Sequence, residues 1–342
     1  MNLIKNKNIL SENRLEHLLI ILLPFFAIFS IFLLEVALIL VSVGFIIKNL
    51  KNFEKEFFLN QFCFLFLIFY IYLLVRYFIS DTYESQSYLF VIFYFRYGLY
   101  VISVYYFLSK ISKLQNNFLK SIVLCTIILI IDGFIQFIIG KNIIGYQIID
   151  NNRVSSFFGD ESILGSYMIK IIPFLFLYLL QKISLKRQTF VFSIVILGIV
   201  LIFLSGERAS AALSILMILY LFVTMKELRI PTLISIFISF SLIILIFINS
   251  ENTKERYVKT IQELFKSDLN QSNLDQRDID KVNNEILDKK ITDGKLYIVS
   301  ATHNNYFITS LKMFDENKLF GHGPKSFRVL CNDDKFKINI WS

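Results

Sequence analysis

Two arginines, Arg153 and Arg208, carry the clearest chemical signal in this sequence. Each stands close to carboxylates, in RVSSFFGDE over 153–161 and in SGERAS over 205–210, and each precedes an apolar run. A local ion pair or a contact with a lipid headgroup would explain either arginine alone. Two arginines in such positions favour a ligand, because a guanidinium group binds phosphate through paired hydrogen bonds. We therefore predict a site for an anionic, phosphate-bearing molecule.

Ionisable residues inside the apolar runs point to the same region. Arg96 and Asp132 lie well inside their runs, whereas Arg76 and Lys170 lie nearer to an end. Charged residues in membrane spans usually face the interior of a bundle or a wet cavity. Snorkelling explains Arg76 and is an alternative for Lys170, but it does not easily explain Arg96 or Asp132. With the two loop arginines, these residues predict a basic cavity suited to a lipid diphosphate.

The sequence contains three histidines. We interpret His17 as structural, and His322, in the turn Gly-His-Gly-Pro, as structural too. His303 begins an amphipathic helical pattern and is a candidate general base, although an exposed histidine at such a position is more often inert. No spacing is typical of a metal site, a phosphate-binding loop, a dinucleotide fold or a serine esterase.

The elements that position these residues are apolar and long. Of 342 residues, 55% are hydrophobic and only 18% charged, whereas soluble domains carry about 25% charged residues. This composition excludes a water-soluble globule and a disordered chain. We read the first run as a tight hairpin interrupted at Glu35, and predict an all-α, polytopic membrane protein. About nine spans, each of roughly 17–25 residues, are predicted over 17–33, 36–47, 60–79, 88–108, 118–139, 165–181, 189–204, 210–225 and 232–249.

Basic residues predict the orientation of these spans. Alternate loops hold 14 lysines and arginines, while the opposite short loops hold Lys141, Arg153 and Arg208 alone. The positive-inside rule places the richer set, and the N-terminus, in the cytoplasm. Residues 1–249 would form the bundle, and 250–342 an external, partly helical segment, periplasmic in a Gram-negative cell. The net charge of +8 then reflects topology, and no nucleic acid partner is implied.

The external segment shows helical apolar spacing over 254–267 and 303–316, separated by a polar loop over 268–295. Of the three cysteines, Cys63 and Cys125 lie in apolar runs and are read as small hydrophobic residues. Cys331 stands alone in the polar segment. No disulfide framework is predicted.

Three segments in this order resemble the O-antigen ligase and Wzy-type O-antigen polymerase superfamily of bacterial inner-membrane proteins. They are residues 153–167, residues 205–210, and the external segment from His303-Asn-Asn-Tyr to Cys331. Phe95-Arg96-Tyr97 is similar to the family's arginine within a span. The resemblance covers essentially the whole chain.

The resemblance implies transfer of a glycan from undecaprenyl diphosphate to a hydroxyl of lipid A core or of another glycan. Arg153 and Arg208 would match the two periplasmic arginines that hold the diphosphate, with Arg96 and Asp132 as further substrate-binding residues and His303 as catalytic candidate. The partners would be the lipid-linked donor, the acceptor and membrane lipid. No nucleotide sugar, metal or other cofactor is implied.

The chain departs from the family pattern after Cys331. Members continue with a His-Asn motif and further spans, whereas this sequence stops at Ser342. We therefore expect a truncated product or fragment with an incomplete external domain, in which His303 is at best an accessory residue. A polymerase, a transporter of the lipid-linked glycan and an inactive remnant or sensor remain alternatives. A transporter would favour charges through the full depth of the bundle and matching halves, and neither is present in the sequence.

Overall fold

The fold is that of a helical membrane protein. A computed structural model describes residues 14–51, 53–79, 87–148, 153–181, 184–251, 253–258, 301–331, 333 and 335–336. Within these ranges every regular element is helical, apart from a single bridge between Lys141 and Gln147. Six helical segments in this described part of the chain are long and apolar enough to cross a membrane. The predicted all-α, multi-pass class is therefore confirmed.

Most of the described residues lie in α-helices. In chain order they are α1 (Arg14–Phe29), α2 (Ile31–Lys51), α3 (Gln61–Ile79), α4 (Ser87–Ile92), α5 (Phe95–Lys110), α6 (Ser112–Ile139), α7 (Leu164–Leu179), α8 (Leu185–Ser205), α9 (Arg208–Thr224), α10 (Arg229–Asn249), α11 (Ala301–Glu316) and α12 (Phe327–Leu330). Short 3-10 turns lie at Lys55–Phe57, Ser156–Phe158 and Lys226–Leu228.

Each of the nine predicted spans overlaps a helix, but not all nine helices have the length of a span. The helices α1 and α7 have 16 residues each and α9 has 17. A hydrocarbon core about 30 Å thick requires roughly 20 helical residues. The structure therefore supports six spans, one of which, Tyr88–Lys110, comprises α4 and α5. The count of nine stays a prediction.

The first apolar run forms the predicted hairpin, but it does not break where we predicted. Glu35 lies inside α2, and the helical pattern is interrupted at Ser30 instead. The Ser30 hydroxyl accepts a hydrogen bond from the Leu33 N–H (3.3 Å), as an N-cap residue does. A Cβ added to Gly44 would lie 2.5 Å from Glu16 Oε1, so residues equidistant from Ser30 meet. A local capping group therefore marks the start of the second helix, and Glu35 lies inside that helix.

Two compact units make up the chain. The first contains residues 1–60 and 97–254, and the second contains residues 61–96 and 255–342. In the first unit, half or more of the span window of α6 and of α8 is buried, so these helices are central and pack with α7. Their main core includes Leu129, Leu164, Met168, Ile172, Leu175 and Leu201.

The second unit contains α3, α4, α11 and α12. A helix is present over Ala301–Glu316, where the spacing predicted one over 303–316. Of the predicted helix over 254–267, only residues up to 258 are described, and these are helical. The predicted loop over 268–295 lies outside the described residues.

Candidate anion-binding site around Arg153

Asp132 holds the loop that leads to Arg153. This aspartate of α6 is fully buried, and its carboxylate accepts hydrogen bonds from the Ser156 hydroxyl (2.6 Å) and the Ile143 N–H (2.9 Å). A third donor is the Asn142 side-chain amide, 3.3 Å away. Buried carboxylates require such partners, because an unpaired one would be costly. The oxygens of Asp132 therefore bind the protein's own loop.

Gln136 binds the same loop one helical turn later. Its Oε1 accepts from the backbone N–H groups of Ser155 (2.9 Å) and Ser156 (2.6 Å). Its Nε2 donates to the carbonyls of Tyr146 (3.3 Å) and Gln147 (3.2 Å). Residues four apart share one face of a helix, so Asp132 and Gln136 together fix the backbone on both sides of the loop.

Arg153 lies at the start of this fixed segment and has an unused donor. Its side chain is half-buried, and its Nε atom is buried without a hydrogen-bond partner. Within the described part of the chain the guanidinium group forms no ion pair or hydrogen bond, and the nearby Asp160 and Glu161 are exposed. Buried polar groups without partners are rare in native structures. The contacts thus argue against a local ion pair and leave a place for an anionic ligand.

Glu207, next to Arg208, joins α7 and α9. Its carboxylate accepts hydrogen bonds from the N–H groups of Gly165 (2.6 Å) and Ser166 (2.9 Å), at the N-terminus of α7. The hydroxyls of Ser166 (2.5 Å) and of Ser210 (2.8 Å) donate to it as well. A carboxylate at this position is stabilised by the helix dipole. An internal anion therefore occupies the N-terminus of α7, and a ligand anion would have to bind elsewhere.

Gly165 makes this arrangement possible. A Cβ at this position would lie 2.5 Å from the Ser205 hydroxyl oxygen and 3.0 Å from Glu207 Oε1. Only glycine lets the start of α7 approach the end of α8 so closely. The turn that carries Arg208 is consequently held against α7.

The segments of the two arginines are neighbours in the first unit. The N–H of Val154, which follows Arg153, donates to the carbonyl of Leu204 (3.3 Å). Arg208 is exposed and begins α9, directly after the turn at Gly206 that ends α8. The structure therefore brings together Arg153, Asp132 and the turn before Arg208.

The remaining predicted residues are placed as follows. Lys170 is exposed on α7, as the snorkelling alternative requires. Arg96 belongs to the second unit and stays a prediction as a member of the site. His303 falls in the first turn of α11, but its side chain lies outside the described residues.

The Gly321 turn is a structural feature of the second unit. Arg76 donates from Nε to the carbonyls of Phe320 (3.0 Å) and Gly321 (2.9 Å). His322 Nε2 lies 2.8 Å from the Met313 carbonyl oxygen. A carbonyl only accepts, so this ring nitrogen carries the proton. Arg76 and His322 thus tie the turn to α3 and α11.

Sequence reasoning missed the roles of Gln136, Glu207 and Arg76. One signal was available, because Gln136 stands four residues after the buried Asp132 on the same helix. Glu207 and Arg76 bind residues far away in the chain, and no local pattern indicates such partners.

Asp132→Asn is expected to loosen the loop. The carboxylate now accepts hydrogen bonds from Ile143 N–H and the Ser156 hydroxyl, and the NH₂ group of an asparagine cannot accept them. An unsatisfied buried group costs about 1–3 kcal/mol. Trypsin cleaves after Lys141 and Arg153, so limited proteolysis of the detergent-solubilised variant should be faster than that of the parent. Asp160→Asn, at an exposed position, is the matched control. Equal cleavage of both variants would show that Asp132 does not hold the loop.

Comparison with known proteins adds no relative. No family model, no curated protein and no solved structure matches this chain. The fold and its apolar helices define the class, a multi-pass helical membrane protein.

Proposed function

We propose that this chain transfers a glycan from undecaprenyl diphosphate to an acceptor hydroxyl on the periplasmic face of the inner membrane, as an O-antigen ligase-like glycosyltransferase. The acceptor would be lipid A core, or another glycan if the protein acts as a polymerase. The observation that supports this proposal most is the buried, unpartnered Nε of Arg153. A guanidinium donor of this kind is suited to a phosphate oxygen.

The proposed reaction is a displacement at the anomeric carbon of the donor sugar. The acceptor oxygen forms a bond to this carbon, and the bond from the carbon to the diphosphate oxygen breaks. The diphosphate leaves with the electron pair, and a general base takes the hydroxyl proton. Arginine donors held in place would stabilise the charge that develops on the leaving group.

In this mechanism the residues have different roles. Arg153 and Arg208 bind the diphosphate. Asp132 is a positioning residue, because its oxygens are bonded to the loop before and after Arg153. His303 is a candidate for the accessory base. The proposal requires no metal and no nucleotide.

Lipid binding provides the first test. The purified chain, in nanodiscs, would be offered undecaprenyl diphosphate or undecaprenol, and the bound lipid counted by native mass spectrometry. We expect retention that depends on the diphosphate. Equal retention of both lipids would contradict a diphosphate site. In membranes supplied with the lipid-linked glycan, a single addition to lipid A core would indicate a ligase, and a ladder of products a polymerase.

The orientation can be tested with reporter fusions. We expect alkaline phosphatase, which requires an oxidising compartment, to be inactive when fused after residue 115 and active after residue 270. The reason is the excess of basic residues in the loops on the side of residue 115. A fluorescent protein that matures in the cytoplasm should give the opposite pattern. An inactive phosphatase at 270 would place the C-terminal segment inside and remove the periplasmic reaction.

A further inference from the structure

One face of α11 is apolar and uncovered. Phe307, Leu311 and Phe314 follow one another at intervals of four and three residues, so they share one side of the helix. Phe307 is 57% exposed and Phe314 is 55% exposed. Leu319 and Phe320, in the turn that follows the helix, are exposed as well. We call these five residues the α11 apolar surface.

Of the other two sides of α11, one is packed against the protein and one is polar. Thr309 and Met313 are buried, and the Thr309 hydroxyl donates to the Phe336 carbonyl at 3.4 Å. On a third side, Lys312 and Asp315 are charged and exposed. The helix is therefore packed on one side, polar on the second and apolar but unpacked on the third. Such a pattern is typical of a helix that lies at a membrane surface.

The position of the apolar surface follows from its attachment to α3. The Tyr72 hydroxyl and Arg76 Nε both donate to the Phe320 carbonyl, at 2.9 and 3.0 Å. The 19 residues of α3 extend roughly 28 Å, about the thickness of the hydrocarbon core. Tyr72 lies one turn before Arg76, and α3 ends at Ile79. Phe320 is therefore level with the last turns of a membrane span, where that span meets the headgroups.

The neighbouring surface of α3 is apolar and exposed. Only 6% of its span window is buried, and Phe78 and Ile79 in its last turn are exposed. The α11 apolar surface begins beside this turn, at Phe320. A bilayer that covers the end of α3 would also reach Leu319 and the helix before it.

We propose that α11 lies in the membrane interface, with Phe307, Leu311 and Phe314 inserted among phospholipid chains and Lys312 and Asp315 in water. The occupant of the apolar surface is thus phospholipid. This arrangement would hold the segment that carries the Gly321 turn against the bilayer surface. It does not depend on the proposed glycan transfer, or on which side of the membrane the segment lies.

Depth-dependent quenching tests this proposal. In the full chain with Cys63, Cys125 and Cys331 replaced by Ser, single cysteines would be introduced as Phe307→Cys, Leu311→Cys or Phe314→Cys. Lys312→Cys and Asp315→Cys, on the polar side of the same helix, are the matched controls. Each variant would be labelled with an environment-sensitive fluorophore and reconstituted in phosphatidylcholine vesicles, with or without lipid carrying a doxyl quencher near the headgroup.

We expect the doxyl lipid to quench labels at the three apolar positions at least about twofold more than at the two controls, because an interfacial helix buries one face in lipid. Aqueous iodide should show the opposite order. Equal quenching at all five positions would overturn the proposal. Protection of the apolar positions from both quenchers would overturn it too, since a protein surface would then cover them. Three separate apolar positions keep the test valid if one substitution lowers the yield of folded protein.

Discussion

Arg153→Lys and Arg208→Lys are each expected to reduce glycan transfer by about 100- to 1,000-fold, the effect of losing one donor aimed at developing charge. Lysine keeps the positive charge but lacks the planar fork that matches phosphate. The reduction should be largest for Arg153, since its guanidinium is half-buried on a segment fixed by Gln136. A lysine at this place would bring an ammonium group that cannot form the same paired hydrogen bonds.

The measurement is the transfer of undecaprenyl-linked glycan to acceptor in membranes with matched amounts of each variant. Arg187→Lys is the control, because Arg187 is exposed near the start of α8 and lies in the predicted cytoplasmic set. If the arginines served only as surface ion pairs, each would contribute about 0–1 kcal/mol. Activity near that of the parent in both variants would therefore refute the diphosphate site.

Glu207→Ala is expected to destabilise the first unit more than any other single change to the site. The substitution leaves two backbone N–H groups of α7 and two serine hydroxyls without their shared acceptor. Loss of a helix cap costs about 0.5–2 kcal/mol, and loss of a carboxylate at a helix N-terminus up to about 2 kcal/mol more. We expect a total of about 0.5–4 kcal/mol, and a fall of up to several degrees in the unfolding midpoint.

Thermal unfolding in detergent, followed with a thiol-reactive dye on the buried Cys125, would measure this effect. Glu227→Ala is the matched control, since Glu227 is exposed in the 3-10 turn before α10. Transfer should also decrease in Glu207→Ala, because Arg208 is the next residue. An unchanged midpoint would mean that Glu207 does not hold α7 and α9 together.

Comparison of Glu207→Ala with Arg208→Lys separates activity lost through lower stability from activity lost through weaker binding of the diphosphate. Glu207→Ala should lower both stability and transfer, whereas Arg208→Lys should lower transfer alone. This difference follows from the contacts, because α7 donates three hydrogen bonds to the carboxylate of Glu207, whereas Arg208 is exposed.

The class of the protein and the approximate positions of most of its helices could be predicted from the sequence alone. A membrane span is recognised by the length and apolar character of one continuous segment. It can therefore be predicted without knowing which helices pack against it. The hairpin of α1 and α2 was predicted for this reason. Its break was misplaced at Glu35, because the second helix already begins at Ile31, where the Ser30 hydroxyl caps its N-terminus.

The partners of the polar residues, in contrast, depend on how the helices and loops pack against one another. Asp132 could be recognised as unusual within a span, but its bonds to Ile143 and Ser156 depend on how the loop folds back onto α6. Arg76 binds the carbonyl of Phe320, 244 residues away in the chain. A hydrogen bond between distant segments has no local pattern, because its partners meet only when the helices pack.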